Sequence, residues 1–114
     1  SFILREKGSA GREIFDGLMQ LNGIHITPVW QSVSTQAIVK AVSKGLGISV
    51  LPYLLVKNDL EEKVICRVSI KNISLKRKLF IIYHKNKYVT NAMKGFMDIC
   101  TKHADELEQK LFSK

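Results

Sequence analysis

Cysteine is scarce in this sequence: Cys66 and Cys100 stand alone and far apart, without metal-ligand spacing between them. That excludes a zinc module and a disulfide scaffold, and it fits a chain kept in a reducing cytoplasm. Proline is scarcer in effect, because Pro28 and Pro52 are isolated and no Pro-, Gly- or Ser-rich linker, repeat or low-complexity run divides the chain. No apolar run is long enough for a membrane span or a signal peptide, so no membrane partner is expected. Catalytic groupings are missing too. His25, His84 and His103 have no carboxylate at triad or metal spacing, Ser9 lacks the G-x-S-x-G elbow, and neither cysteine carries a local sign of activation. The reading is therefore a chain that is not an enzyme and needs no cofactor.

What is present belongs to one ordinary globular domain. The chain has 114 residues, 46% of them apolar and 25% charged, which is enough for a single core of modest size. A formal charge of +8 allows two readings. Most basic residues, such as Lys40, Lys44, Lys57, Lys94 and Lys102, are scattered as on a solvated surface, while Lys76, Arg77 and Lys78 with Lys85 and Lys87 form one local cluster. The cluster reads as a loop tip or as a phosphate-contacting patch. The first residues, Phe2 to Leu4, are apolar and unpreceded by an initiator Met, so the sequence reads as a piece of a longer protein.

Residues 34–52, STQAIVKAVSKGLGISVLP, anchor the reading of the fold. Ser34 and Thr35 suit a helix N-terminus, and Ala37, Ile38, Ala41 and Val42 recur at helical spacing. Gly45 can take the left-handed conformation that stops a helix, and Ile48, Val50 and Leu51 then read as a buried strand closed by Pro52. Upstream, Phe2 to Leu4 predict a first strand, residues 5–11 a polar loop, and Ile14, Phe15, Leu18 and Leu21 the buried stripe of a first helix. A second strand is expected over Ile24, Ile26, Val29 and Trp30. The order β-α-β-α-β requires parallel strands. Beyond Pro52 the pattern predicts one helical turn or a continuation over 53–56, an alternating strand over 64–70, an apolar strand over 79–83 and a long helix capped by Thr90 or Asn91. The stripe of that helix is Met93, Phe96, Met97, Cys100, Ala104, Leu107 and Leu111. The expected class is thus α/β: a Rossmann-like, three-layer subdomain with a mostly parallel central sheet, antiparallel strands after it, and a long C-terminal helix. The expected division is 1–88 for the subdomain and 89–114 for the helix, which packs on an absent neighbour or a partner chain.

Two loops follow parallel strands and open helices, residues 7–11 and 31–35. In such sheets ligands sit at the strands' C-terminal ends, where unpaired N–H groups and the positive helix dipole face outward. Ser9 lies in one loop, Ser34 and Thr35 in the other, and Arg5, Lys7 and Arg12 can add charge for a carboxylate, sulfate or phosphate. Taken singly, Ser34 is equally an N-cap and Ser9 a turn residue. The GSAG sequence lacks the glycine spacing and lysine of a nucleotide loop.

The order FILREKGSAGR, QSVSTQAI, KAVSKGLGISVLP, VICRVSI and KLFIIYHKNKYVTNAMKGFMDIC resembles the C-terminal part of the effector-binding region of LysR-type transcriptional regulators, over roughly residues 2–100. AVSKGLGISVLP is similar to the family's V-x-x-G-x-G-I-x-x-L-P, and REKGSAGR to its R-E-x-G-S-G-T-R. Ala10 and Gly11 stand where the family often has Gly-Thr, so Ser9 would carry any hydroxyl contact alone. The resemblance implies half of a type 2 periplasmic-binding-protein-like fold, with a small effector, here expected to be anionic, in a cleft between two subdomains. It implies effector contacts at Gly8, Ser9, Val33 and Ser34, to which the reading of the two loops adds Arg12 and Thr35, together with self-association and DNA contact only through an N-terminal winged helix-turn-helix outside this sequence. Two other readings of the residues stay open: a small basic nucleic-acid-binding module, and a piece of an anion-binding transport protein or enzyme of the same fold.

Overall fold

Three consecutive residues near the start of the chain, Phe2, Ile3 and Leu4, organise the sheet. The computed structural model describes residues 1–71, 73, 75, 76 and 78–112, with side chains up to residue 110. Strand β1 (Ile3–Arg5) runs parallel to β2 (Trp30–Ser32), with Ile3 opposite Trp30, Leu4 opposite Gln31 and Arg5 opposite Ser32. On the other side of β1, Phe2 pairs in parallel with Ile48, so β1 is the central strand. Helix α1 (Ala10–Leu21) connects β1 to β2, and α2 (Thr35–Ser43) leads from β2 to the Ile48 segment. Helix α3 (Tyr53–Glu61) and α4 (Asn91–Phe112) complete an α/β chain of two units, Ser1–Lys76 and Arg77–Lys114.

Period-2 alternation along β1 divides the first unit's core between the two faces of the sheet. Ile3 packs with Ile38 and Ala41 of α2, joined by Val42 and Leu51. Leu4 packs with Phe15 and Met19 of α1, joined by Phe2, Leu18 and Ile26. Of the stripe predicted for α2, Ile38 and Ala41 are buried and Ala37 and Val42 half-buried, Val39 is buried beside them, and Ser34 caps the helix by accepting a hydrogen bond from the Ala37 amide. The helix ends in a Schellman motif: Gly45, at φ 75°, donates to the Val42 carbonyl, and Leu46 donates to Ala41. On α1, Phe15 is buried and Leu18 half-buried, but Ile14 sits at the exposure boundary and Leu21 is exposed on the final turn.

The strands are shorter than the patterning predicts, and three corrections follow. Residues 24–28 are irregular, so the second strand begins at Trp30; Pro28 has no N–H for a ladder there. The third strand contracts to Ile48, whose carbonyl accepts from Ile3 and whose amide donates to Ser1. Residues 64–70 and 79–83 form no strand, and the antiparallel part of the expected sheet is therefore not seen among the described residues. Alternating or apolar sequence makes a strand only where a neighbouring edge completes the ladder, and here Val68, Leu79 and Ile82 remain exposed. Helix α3, by contrast, extends well past the single turn expected over 53–56.

In the second unit Thr90 caps α4, its hydroxyl accepting from the Met93 amide. Met93, Met97, Cys100 and Leu107 are half-buried, whereas Phe96 and Ala104 of the same predicted stripe are exposed. Arg77 of the basic cluster and the side chain of Leu111 lie outside the described residues.

Candidate functional site

Because β1 and β2 are parallel and in register, their C-terminal residues Arg5 and Ser32 end at the same edge of the sheet. From that edge the chain passes through residues 6–9 into α1 and through 33–34 into α2, so both helices begin there. The first-turn amides of each helix have no carbonyl one turn back to bond, and they leave that edge rich in donors.

Each predicted residue can now be located. The Gly8 amide donates to Glu13 Oε1 (2.9 Å). Half-buried Ser9 is the N-cap of α1 by position, but its hydroxyl takes no capping bond. Ser34 is exposed, and its Oγ accepts from Ala37 (3.2 Å), which leaves the hydroxyl proton available to an incoming acceptor. Val33 is exposed beside it, an apolar residue on the rim. Thr35, half-buried, opens α2 and accepts from Arg5 Nη1 (3.2 Å). Arg12 alone turns inward. It is 5% exposed, and its guanidinium donates to Asp16 (2.7 Å), the Arg5 carbonyl (2.9 Å) and Gln31 Oε1 (3.3 Å).

The carboxylates and the amide that hold this edge were not among the predicted residues. Glu6 grips Arg5 through both oxygens, at 2.8 and 2.9 Å. That hydrogen bond is the main cause that holds the Glu6 carboxyl below the usual glutamate range, followed by a hydrogen bond from its own backbone. The same pairing raises the Arg5 guanidinium. Sequence signals existed for two of these partners: Arg12 and Asp16 are four apart on a helix, and Glu6 adjoins Arg5. Gln31 gave none, because its nearness to Arg12 depends on strand register.

Residues 1–105 match the family model of the LysR substrate binding domain. This chain belongs to that family. Among curated relatives, the HTH-type transcriptional regulator YeiE of Escherichia coli is 34% identical over 99 residues, which cover 87% of this chain and 34% of that protein. CysL, an HTH-type transcriptional regulator of Bacillus subtilis, is 37% identical over 83 residues, 73% of this chain and 28% of its own length. The RuBisCO operon transcriptional regulator of Acidithiobacillus ferrooxidans is 28% identical over 97 residues, covering 85% of this chain and 31% of that protein. The chain thus spans about a third of the length of these relatives.

The strand-end edge presents backbone donors, hydroxyls and paired charges. The relatives of this LysR substrate-binding domain are transcriptional regulators. Among the described residues no group of three or more His, Cys, Asp or Glu could hold a metal, and no helix is long and apolar enough to cross a membrane. A separate open groove of about 370 Å³ lies within the second unit, lined by apolar side chains such as Ile81, Met93 and Phe96 together with Tyr83. It lacks the convergent polar groups that orient a small polar ligand.

Proposed function

We propose that this chain is the C-terminal part of the effector-sensing region of a LysR-type, DNA-binding transcriptional regulator, mainly its second subdomain. In this reading Gly8, Ser9, Val33, Ser34 and Thr35, with Arg12 behind them, form one wall of a cleft that takes a small anionic metabolite. Residues 1–88 make the second effector-binding subdomain, and the helix after residue 89 packs against the first subdomain or a partner chain. The intact regulator works in the cytoplasm as a homodimer or higher oligomer and meets DNA through an N-terminal winged helix-turn-helix.

The family match supports the word regulator. The observation that carries the site is the shared edge: two helices begin beyond the ends of paired parallel strands, and Arg5 links the end of β1 to Thr35 at the start of α2. A ligand held between two subdomains favours the closed arrangement by its differential affinity, and closure changes how paired effector regions present their DNA-binding heads.

The test is calorimetry on the full-length regulator against sulfate, phosphate and short mono- and dicarboxylates, followed by Ser9→Ala and Ser34→Ala. Each substitution is expected to weaken the selected anion about tenfold to a hundredfold, the worth of one hydrogen bond to a charged group. Unchanged affinity in both variants removes these hydroxyls from the site. No binding by any of these anions overturns the anionic class.

A further inference from the structure

Arg12 is a buried charge at the foot of the strand-end edge, and a buried guanidinium is tolerated only where its donors are met. Its three acceptors lie on three different pieces of backbone: Asp16 on α1, the carbonyl of Arg5 at the end of β1, and Gln31 on β2. Arg5 then donates from its own side chain to Thr35, the first residue of α2. One residue further back, Ser34 caps α2 through the Ala37 amide. Two hydrogen bonds, one to the main chain of Arg5 and one from its side chain, therefore tie the first turn of α1 to the first turn of α2 with Arg5 as the covalent link between them.

We propose that Arg12 is a positioning residue: acting through Arg5, it fixes the spacing between the two helix beginnings, and it does not itself grip the effector. The proposal deepens the effector-binding reading above and rests on it for its functional meaning. A ligand anion approaching Arg12 would compete with Asp16 and Gln31 for a side chain already turned into the protein. Arg12 reaches its acceptors from two nitrogens of one rigid plane, Nε to Asp16 and Nη1 to the Arg5 carbonyl and Gln31, so lysine, a compact ammonium on a flexible stem, is not an equivalent.

The experiment uses the 114-residue chain and needs no ligand. Amide exchange is followed by NMR, and urea unfolding is measured for Arg12→Lys, Thr35→Val and the double variant. Arg12→Lys is expected to speed exchange of the Ala37 amide about tenfold, although that amide bonds to Ser34 and not to Arg12. The two effects on the unfolding constant are expected to fall short of multiplying by about threefold or more, beyond the scatter of independent sites. Exchange changes confined to Asp16, Arg5 and Gln31, together with effects that multiply, would overturn the proposal. Should Arg12→Lys fail to fold, Asp16→Asn leaves the guanidinium in place and weakens one of its bonds. Faster Ala37 exchange in that variant supports the relay, and unchanged exchange overturns it. Failure of every anion to bind the full-length regulator counts against the effector reading alone, since the coupling is measured without one.

Discussion

Ile3 and Leu4 are neighbours on β1 and both nearly inaccessible, at 2% and 1% exposure, yet they serve different cores. Ile3 meets Ile38 and Ala41 on one face of the sheet, and Leu4 meets Phe15 and Met19 on the other. The strand is therefore an apolar layer that α1 and α2 have in common. Ile38→Ala, at a site with 0% exposure, is expected to cost about 2–5 kcal/mol, and Phe15→Ala about 3–5 kcal/mol. The two clusters share no buried member, so the losses should add within about 0.5 kcal/mol in the double variant. Urea unfolding of the single and double variants checks both statements, and a large departure from additivity would show that the faces are not independent.

Three glycines separate steric from conformational demands. A Cβ on Gly47 would stand 2.7 Å from the Ser1 carbonyl oxygen, the same oxygen that accepts from Ile48. Gly47→Ala must push that edge apart, and a loss of about 1–3 kcal/mol is expected. Gly45→Ala meets no neighbour but needs an L-residue at φ 75°, for a cost of about 1–2 kcal/mol. Gly17→Ala, within α1 and with open space around it, is expected to stabilise by about 0.5–1 kcal/mol. Thermal unfolding of the three variants should rank them in that order.

The parts of this fold that were legible in the sequence are those governed by local rules. Ser34, the apolar spacing from Ala37 to Val42, and Gly45 specify a capped helix and its stop from within a dozen residues, and the structure follows them. Thr90 and the helix it opens behave alike, although Phe96 and Ala104 of the α4 stripe are exposed. The failures are non-local. Residues 64–70 alternate and residues 79–83 are apolar, but strand formation depends on a neighbouring edge that no short pattern encodes. At the candidate site the loops were legible because a strand followed by a helix start is a local signal. The inward turn of Arg12 was not, since it depends on Gln31 arriving beside it through strand register.

The Arg5–Glu6 pair gives stability a defined pH dependence. Glu6 holds its carboxyl below the ordinary value in the folded chain, chiefly through the hydrogen bond from Arg5, so the unfolded state binds the proton more readily. The pair's contribution is complete above the unfolded glutamate value of about 4.3 and is lost as pH falls through the lowered folded value. Glu6→Gln removes this titration. The expected result is that stability of the variant falls less steeply than wild type as pH is taken below about 4. Parallel slopes in urea unfolding across that window would show that Glu6 carries no such linkage.

The net charge of +8 provides a direct contrast between the regulator reading and a nucleic-acid module. Affinity for duplex DNA grows with the number of phosphates neutralised together, and its logarithm falls with the logarithm of salt at about 0.9 per phosphate. A module using Lys78, Lys85 and Lys87 with their neighbours would show a slope of several and would lose binding when these lysines become glutamine. On the regulator reading the DNA-contacting element lies outside these residues, and the +8 charge is spread over a solvated surface. The 114-residue chain is then expected to give no mobility shift with duplex DNA at about 150 mM salt. At low salt it is expected to show only weak retention, without sequence preference. Lys85→Gln with Lys87→Gln, which leaves a formal charge of about +6, should leave that weak retention within about threefold, because a general charge term is reduced a little by removing any two lysines. Tight, steeply salt-dependent binding abolished by this pair of substitutions would overturn the regulator reading of the basic cluster.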